Sequence, residues 1–373
     1  KNDTIASGCF GYIYSTSLSG AGAYTHNPLT SSLDMTVGTA SGDKCYLQTR
    51  HNIEYYKGKG QQFLLSCNLQ GKKDGVRKRF GAFDADNGVF IELDGLTANV
   101  VVRSKTSGAV VEIKISQANW NQDKMDGSGL SGVTIDFSKQ QLVAIEYTWL
   151  GTNAVKFAFI IDSQKIYFHR FNFANVITTP WCQTGQLPIR AEVENLSTQE
   201  ASDKLSITCM AATSEGGGID VGRIKHISTG LDAVALDTTW KAITGIRLGS
   251  TFVKNLLKPT SFDLLYQSGT AEVIYKLILN GTFTTAPTWS SIQNSIGEKL
   301  TNNPVWTENT GLLIDEGFLG IADRKSQIQG ERAGQNTRVG RSIDDIPDQL
   351  ILVAKSTNNS PKILSHFSYM EFC

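Results

Sequence analysis

The sequence has no surplus of charge of either sign: 35 Lys and Arg stand against 35 Asp and Glu. A general nucleic-acid binder needs a basic surplus to displace counterions from phosphates, so that class is set aside. Long apolar runs are missing too, and none reaches the roughly 18 residues that a membrane-spanning helix needs. The six cysteines include no C-x-x-C unit and no zinc-knuckle spacing. The five histidines form neither H-x-H nor H-E-x-x-H, so no metal site is assembled locally. A phosphate-cradling G-x-x-x-x-G-K-[ST] loop is absent. Gly127-Ser128-Gly129 and Gly132 lack the strand-to-helix context of a nucleophile elbow. No cofactor is expected, and no repeat of fixed period occurs. The chain begins at Lys1, without a signal-peptide pattern, and an absent or cleaved N-terminal segment is expected.

What is present points to strands. Hydrophobic residues make up 40% of the chain, enough for packed cores, and its 35 glycines suit many tight turns. Val143, Ile145, Tyr147 and Trp149 alternate with Ala144, Glu146 and Thr148, and Val155, Phe157, Phe159 and Ile161 repeat the pattern. Such period-two alternation turns one side of each segment into a core. Asp94-Gly95 is a turn between the strands Val89–Leu93 and Asn99–Arg103, and Asn280-Gly281 closes Val273–Leu279. Helix evidence is confined to Trp289, Ile292, Ile296 and Leu300, which have helical spacing weakened by Gly297. The cysteines are read as buried thiols, with Cys209 on one strand face with Leu205 and Ile207; the compartment stays open.

Two units are expected. Residues 1–49 join the first, residues 50–212 form its body, and Thr213 to Gly218 (T-S-E-G-G-G) is a linker without packing side chains. Residues 219–373 make the second unit. Within it the polar stretch 322–345, whose bulky apolar residues are Ile328, Val339 and Ile343, is expected to be an extended arm ordered by a neighbouring subunit.

Candidate chemistry is sparse. Glu92 and Asp94 share a strand face, as glycosidase carboxylates do, but the E-x-D-x-(x)-E pattern of laminarinase-like enzymes lacks its third acid here. Glu192 and Glu194 form a second such pair. Both are expected to be solvated strand faces. His169 is expected to be a polar side chain opposite core aromatics. Lys72, Lys73, Arg77, Lys78 and Arg79 form a basic cluster around the turn Asp74-Gly75, expected to be a solvated hairpin tip or a subunit contact. Sequons begin at Asn2, Asn195, Asn280 and Asn358 and are expected by chance in an Asn- and Thr-rich chain.

The segment Phe80 to Glu194 carries long ordered motifs. They are G-A-F-D-A-D-N-G-V-F-I-E-L-D-G from Gly81, V-V-R-S-K-T-S-G from Val101 and W-N-Q-D-K-M-D-G-S-G from Trp120. Y-T-W-L-G from Tyr147, H-R-F-N-F-A-N from His169 and L-P-I-R from Leu187 follow. Over roughly Arg50 to Asn195 this resembles a group of structural proteins of tailed bacteriophages and other large DNA viruses. The resemblance implies a concanavalin- or laminin-G-like antiparallel β-sandwich in a virion component, with no catalytic residues to carry over. The expected architecture is therefore all-β: this sandwich, then a smaller β-sandwich-like domain bearing the arm. The expected partners are copies of itself and other virion proteins, without membrane insertion. An alternative is a glycan-binding module for host attachment, with Trp181, Trp240 or Trp306 stacking on sugar rings. A third reading is a glycoside hydrolase built on Glu92 and Asp94. Asp123 and Asp126, in a carboxylate-rich turn, are a calcium candidate through their hard oxygen ligands.

Overall fold

A computed structural model describes residues 13–56, 58–149, 152–216, 222–321, 324–328, 337–358 and 361–372. Cys9, Cys373, the Asn2 sequon and Gly217–Gly218 of the expected linker lie outside these residues. The chain divides into two units, 1–219 and 220–373.

The first unit runs β1 Tyr14–Ser19, β2 Ala23–Asn27, β3 Ser32–Val37, β4 Lys44–Thr49, β5 Gln61–Asn68, β6 Val76–Phe83 and β7 Gly88–Asp94. It continues with β8 Thr97–Ser104, β9 Val111–Ser116, β10 Gln140–Tyr147, β11 Val155–Ile161, β12 Gln164–Phe171, β13 Ile189–Asn195 and β14 Asp203–Ser214. These make two seven-stranded antiparallel sheets, β1-β4-β13-β6-β7-β8-β9 and β12-β11-β10-β5-β14-β3-β2. Phe63, Phe157, Phe159 and Phe168 of the second sheet meet Phe80, Ile91, Val100 and Val193 of the first in one continuous core. The unit is thus the concanavalin-like sandwich. Thr213 and Ser214 belong to β14 rather than to a linker, so the structured unit runs further than its composition suggested. A bulge at Thr208 shifts the alternation of β14 and turns Cys209 outward, whereas Cys45, Cys67 and Cys182 are buried.

The second unit runs β15 Arg223–Ser228, β16 Val234–Ala235, β17 Lys241–Leu248, β18 Leu256–Ser268, β19 Val273–Leu279 and β20 Trp289–Ser291. Then come β21 Gly297–Leu300, β22 Leu312–Leu319, β23 Arg324–Ile328, β24 Gln349–Ser356 and β25 Lys362–Phe372. One sheet is β15-β25-β18-β23 with β16 on β25; the other is β20-β21-β17-β24-β19-β22. Phe262 of β18 packs edge-to-face on Tyr275 of β19, 5.7 Å between centroids, and so ties sheet to sheet. The helical spacing of Trp289 to Leu300 is instead the hairpin β20–β21, with Trp289 opposite Leu300. A turn at Ile292 to Ser295, with Asn294 at φ 55°, produces the same spacing. The polar stretch 322–345, where described, is built into its own unit. β23 pairs with β18, Val339 bridges Leu257, and Val339 and Ile343 are buried anchors.

Candidate functional site

Alternation along β6, β7, β8, β9 and β13 fixes which side chains share the outer face of the first sheet. Val89, Ile91 and Leu93 of β7 go to the core, which leaves Phe90, Glu92 and Asp94 outside. Registers Arg79↔Glu92, Arg79↔Glu192 and Arg103↔Glu112 then line up acids and bases from five strands. At the centre Phe83, Phe90 and Val101 are fully buried. Three guanidiniums lie over them: Arg79 at 5.3 Å and Arg103 at 5.0 Å from the Phe90 centroid, and Arg190 at 5.7 Å from that of Phe83.

Carboxylates lock these cations in place. Arg79 Nε donates to Glu92 Oε2 at 2.7 Å, and its Nη1 reaches Glu192 Oε2 at 3.4 Å. Arg190 Nε donates to Glu192 Oε1 at 2.6 Å, and Arg103 donates twice to Glu112 Oε1 at 2.9 and 2.7 Å. Lys114 Nζ donates to Glu92 Oε1 at 2.9 Å, and Asn99 to the same oxygen at 3.3 Å. Glu92 is 0% exposed and Glu192 3%, so the first acid of each pair is buried rather than solvated, while Asp94 and Glu194 stay partly exposed. Alternation located their common side correctly, but the arginines and aromatics of neighbouring strands close it to water. The two pairs, 100 residues apart in sequence, are brought together through Arg79.

That geometry bears on hydrolysis. A retaining or inverting glycosidase needs one carboxyl held protonated by a raised pKa. Burial acts in that direction on Glu112, but Arg103, Arg79 and Lys114 outweigh it and hold the carboxyl below its ordinary range. The same holds for Glu194, where burial is outweighed by Tyr46 and Arg77. Glu92 sits between two cations, and half-exposed Asp94 is 3.9 Å from Lys114.

The basic cluster divides three ways. Lys78 is 1% exposed and donates to Leu69 O at 2.7 Å and Asp203 at 2.9 Å, whereas Arg77 and Arg79 serve the outer face. Lys73 donates to Ala201 O at 2.6 Å. It is not a free basic tip. Of the sequons, Asn195 is buried and its amide donates to Gly38 O and Ala40 O, while Asn280 donates to Asp348.

The tryptophans are core, not platforms. Trp181 (4% exposed) stacks on Phe173 at 5.8 Å inside the sandwich. Trp240 and Trp306, each 5% exposed, meet edge-to-face at 5.7 Å with Ala242, Ile278, Ile351 and Val353. Lys276 lies over both rings and Lys355 over Trp240, so ammonium groups hold the faces a sugar would need.

The calcium candidate is loop architecture. Asp123 accepts the N–H of Met125 and of Ser131, both at 2.8 Å, and Asp126 accepts both donors of Ser128. Gly129 lies so close that a Cβ there would sit 2.0 Å from Asp123 Oδ1. Among the described residues no group of three or more His, Cys, Asp or Glu is placed to hold a metal ion. We expect Asp123→Ala to cost about 1–3 kcal/mol through two orphaned N–H groups. Thermal melts with calcium or with a chelator should coincide; a calcium-dependent rise would restore the site.

His169 is buried edge-on against Phe171 at 4.6 Å, and its Nδ1 accepts the Asn121 N–H at 3.3 Å. Burial pushes its pKa down to about 4. The unfolded chain, with an ordinary histidine near 6.5, takes up the proton first. Stability from this group is therefore complete above about pH 6.5 and is lost as pH falls toward 4. Urea midpoints should decline over that window, and His169→Gln should flatten the decline.

The other outer face, on the second sheet, holds a polar pocket of 380 Å³. Gln62, Glu146, Lys156, Lys165, Arg170 and Glu215 line it. Glu146 is its centre, accepting from Gln62 and from Tyr167, each at 2.8 Å, and from Lys165. Burial would raise its pKa, but these three donors hold it low. Sequence reading missed this pocket, because its residues come from five strands and no local spacing marks them.

No family model matches the sequence, and no curated protein matches it. Solved structures give distant likenesses over about half the chain. A legume lectin-like domain from Entamoeba histolytica is 7% identical at a TM-score of 0.31, covering 54% of this chain and 90% of that one. A glycoside hydrolase family 16 endo-glucanase from Bacteroides ovatus is 10% identical at 0.36, covering 54% and 94%. The receptor binding domain of a botulinum neurotoxin C/D mosaic serotype is 9% identical at 0.32, covering 54% and 43%. At these values the likenesses say nothing about substrate or catalysis.

Proposed function

We propose that this chain is a non-enzymatic structural protein that works by burying surface against copies of itself and other subunits of a virus particle. The observation that carries the reading is the apolar character of exposed edge strands. β9 presents Val111 and Ile113, and β22 presents Leu313 and Phe318, all large and exposed. An unpaired strand edge that also carries exposed apolar side chains is a template for pairing with another chain. The motifs from Phe80 to Glu194 favour a virion as the setting, and the neutralised acids of the outer face favour a role without turnover. Quantitative mass spectrometry of purified particles tests the reading: many copies per particle are expected, and their absence overturns it.

The pocket around Glu146 favours a second reading, attachment to a glycan. Its mixed donors and acceptors suit a polar ligand, although no exposed tryptophan adds a stacking face. An array screen, repeated with Arg170→Ala, decides it. A glycan bound by the parent chain and lost in the variant supports the pocket; no bound glycan removes it.

A further inference from the structure

We infer that the open edge of β9 pairs with β9 of a second copy of this chain about a two-fold axis at Ile113, joining two seven-stranded sheets into one. The inference rests on the assembly reading and names its partner and register. Among the described residues β9 is the last strand of its sheet and pairs with β8 alone, without a bulge, so one row of its backbone groups faces no described strand. Its apolar residues are poorly covered: Val111 is 51% and Ile113 47% exposed, beside an apolar pocket of 230 Å³ under Phe173, Ile177 and Trp181.

The strand is complementary to itself in one register. Val111-Glu112-Ile113-Lys114-Ile115, laid antiparallel on a copy and centred on Ile113, sets Glu112 opposite the partner subunit's Lys114 and Val111 opposite the partner subunit's Ile115. Centring the axis on Glu112 or on Lys114 instead sets like charges opposite each other, which is unfavourable. Glu112 keeps Arg103, and Lys114 keeps Glu92. Their side chains are still 21% and 34% exposed and have room for a cross-strand contact.

Backbone parity agrees. The two-residue turn Gly95-Leu96 makes Asp94↔Thr97 a hydrogen-bonded pair. Counting alternately across β8, Ile113 bonds inward to β8, while Glu112 and Lys114 point their N–H and C=O outward. The outward residues are the ones this register pairs. An isologous contact of this kind closes after two copies.

The full chain with Ile113→Cys tests the register. At the axis two such residues form a non-hydrogen-bonded pair with Cα atoms about 4.5 Å apart, within disulfide reach of about 4.4–6.8 Å. Mild oxidation should give a covalent dimer on a non-reducing gel, absent from the parent chain with its own exposed Cys209 and from Val111→Cys. Sedimentation adds a second measurement. Ile113→Lys sets like charges opposite each other at the axis while leaving Glu112 on Arg103 and Lys114 on Glu92, and it should weaken the dimer at least about tenfold. An Ile113→Cys chain that stays uncross-linked, together with an Ile113→Lys chain that associates as the parent does, overturns the inference. Copy number in particles is read separately, so an oligomer built on another edge would leave the assembly reading standing.

Discussion

Arg79→Ala is expected to destabilise the first unit by about 3–5 kcal/mol, the cost of removing one partner from a buried ion pair. Glu92 would keep Lys114 and Asn99 but lose its shortest contact, and Glu192 would lean on Arg190 alone. The roof over Phe90 would open as well, since the guanidinium lies 5.3 Å from that ring. Urea unfolding of the parent and variant measures the difference. The double change Arg79→Met with Glu92→Met should recover much of the loss, because it removes both charges and fills the space with apolar atoms. A loss below about 1 kcal/mol, typical of a surface salt bridge, would mean that water reaches the network in solution.

The second large effect is expected at Trp306. Trp306→Ala should cost the second unit about 3–5 kcal/mol, the usual range for truncating a buried large aromatic. The change removes the partner of Trp240, the ring under Lys276 and the indole N–H bonded to Thr310 O at 3.2 Å. A sugar-stacking tryptophan would behave in the opposite way, with stability kept and binding lost. Thermal denaturation of Trp306→Ala, read beside a glycan screen, separates the two.

How far the sequence could be read depended on the range of the interaction. The strands β10 and β11 follow from period-two alternation, because a side chain's neighbours two residues away decide its face. The turns at Asp94-Gly95 and Asp74-Gly75 follow from local chemistry, and both glycines adopt positive φ. Asn280 also takes positive φ at the end of β19, yet the chain does not return as a hairpin: β22 begins only at Leu312. The buried face around Glu92 was out of reach, since alternation says which residues point away from the core and not what lies over them. Arg79 and Glu192 are 113 positions apart, and β13 lies between β4 and β6 for reasons of topology. Likewise the one-residue bulge that exposes Cys209 has no signal in the alternation on either side of it. The tryptophans were ambiguous for a different reason: an indole suits a core and a sugar equally, and the lysines that cover Trp240 come from β19 and β24.

The strand order of the first unit has a consequence for how the chain is made. β4, complete at Thr49, must wait for β13, which begins at Ile189, and β3 and β5 must wait for β14. At about 5–20 residues per second, a ribosome needs roughly 10–30 s to deliver those partners. For that interval the early strands hold unfilled edges beside an unfinished core, and pairings so distant in sequence close slowly. A pulse of synthesis followed by protease should therefore leave chains truncated before Ile189 fully sensitive, and protection should arise in one step once β14 has emerged.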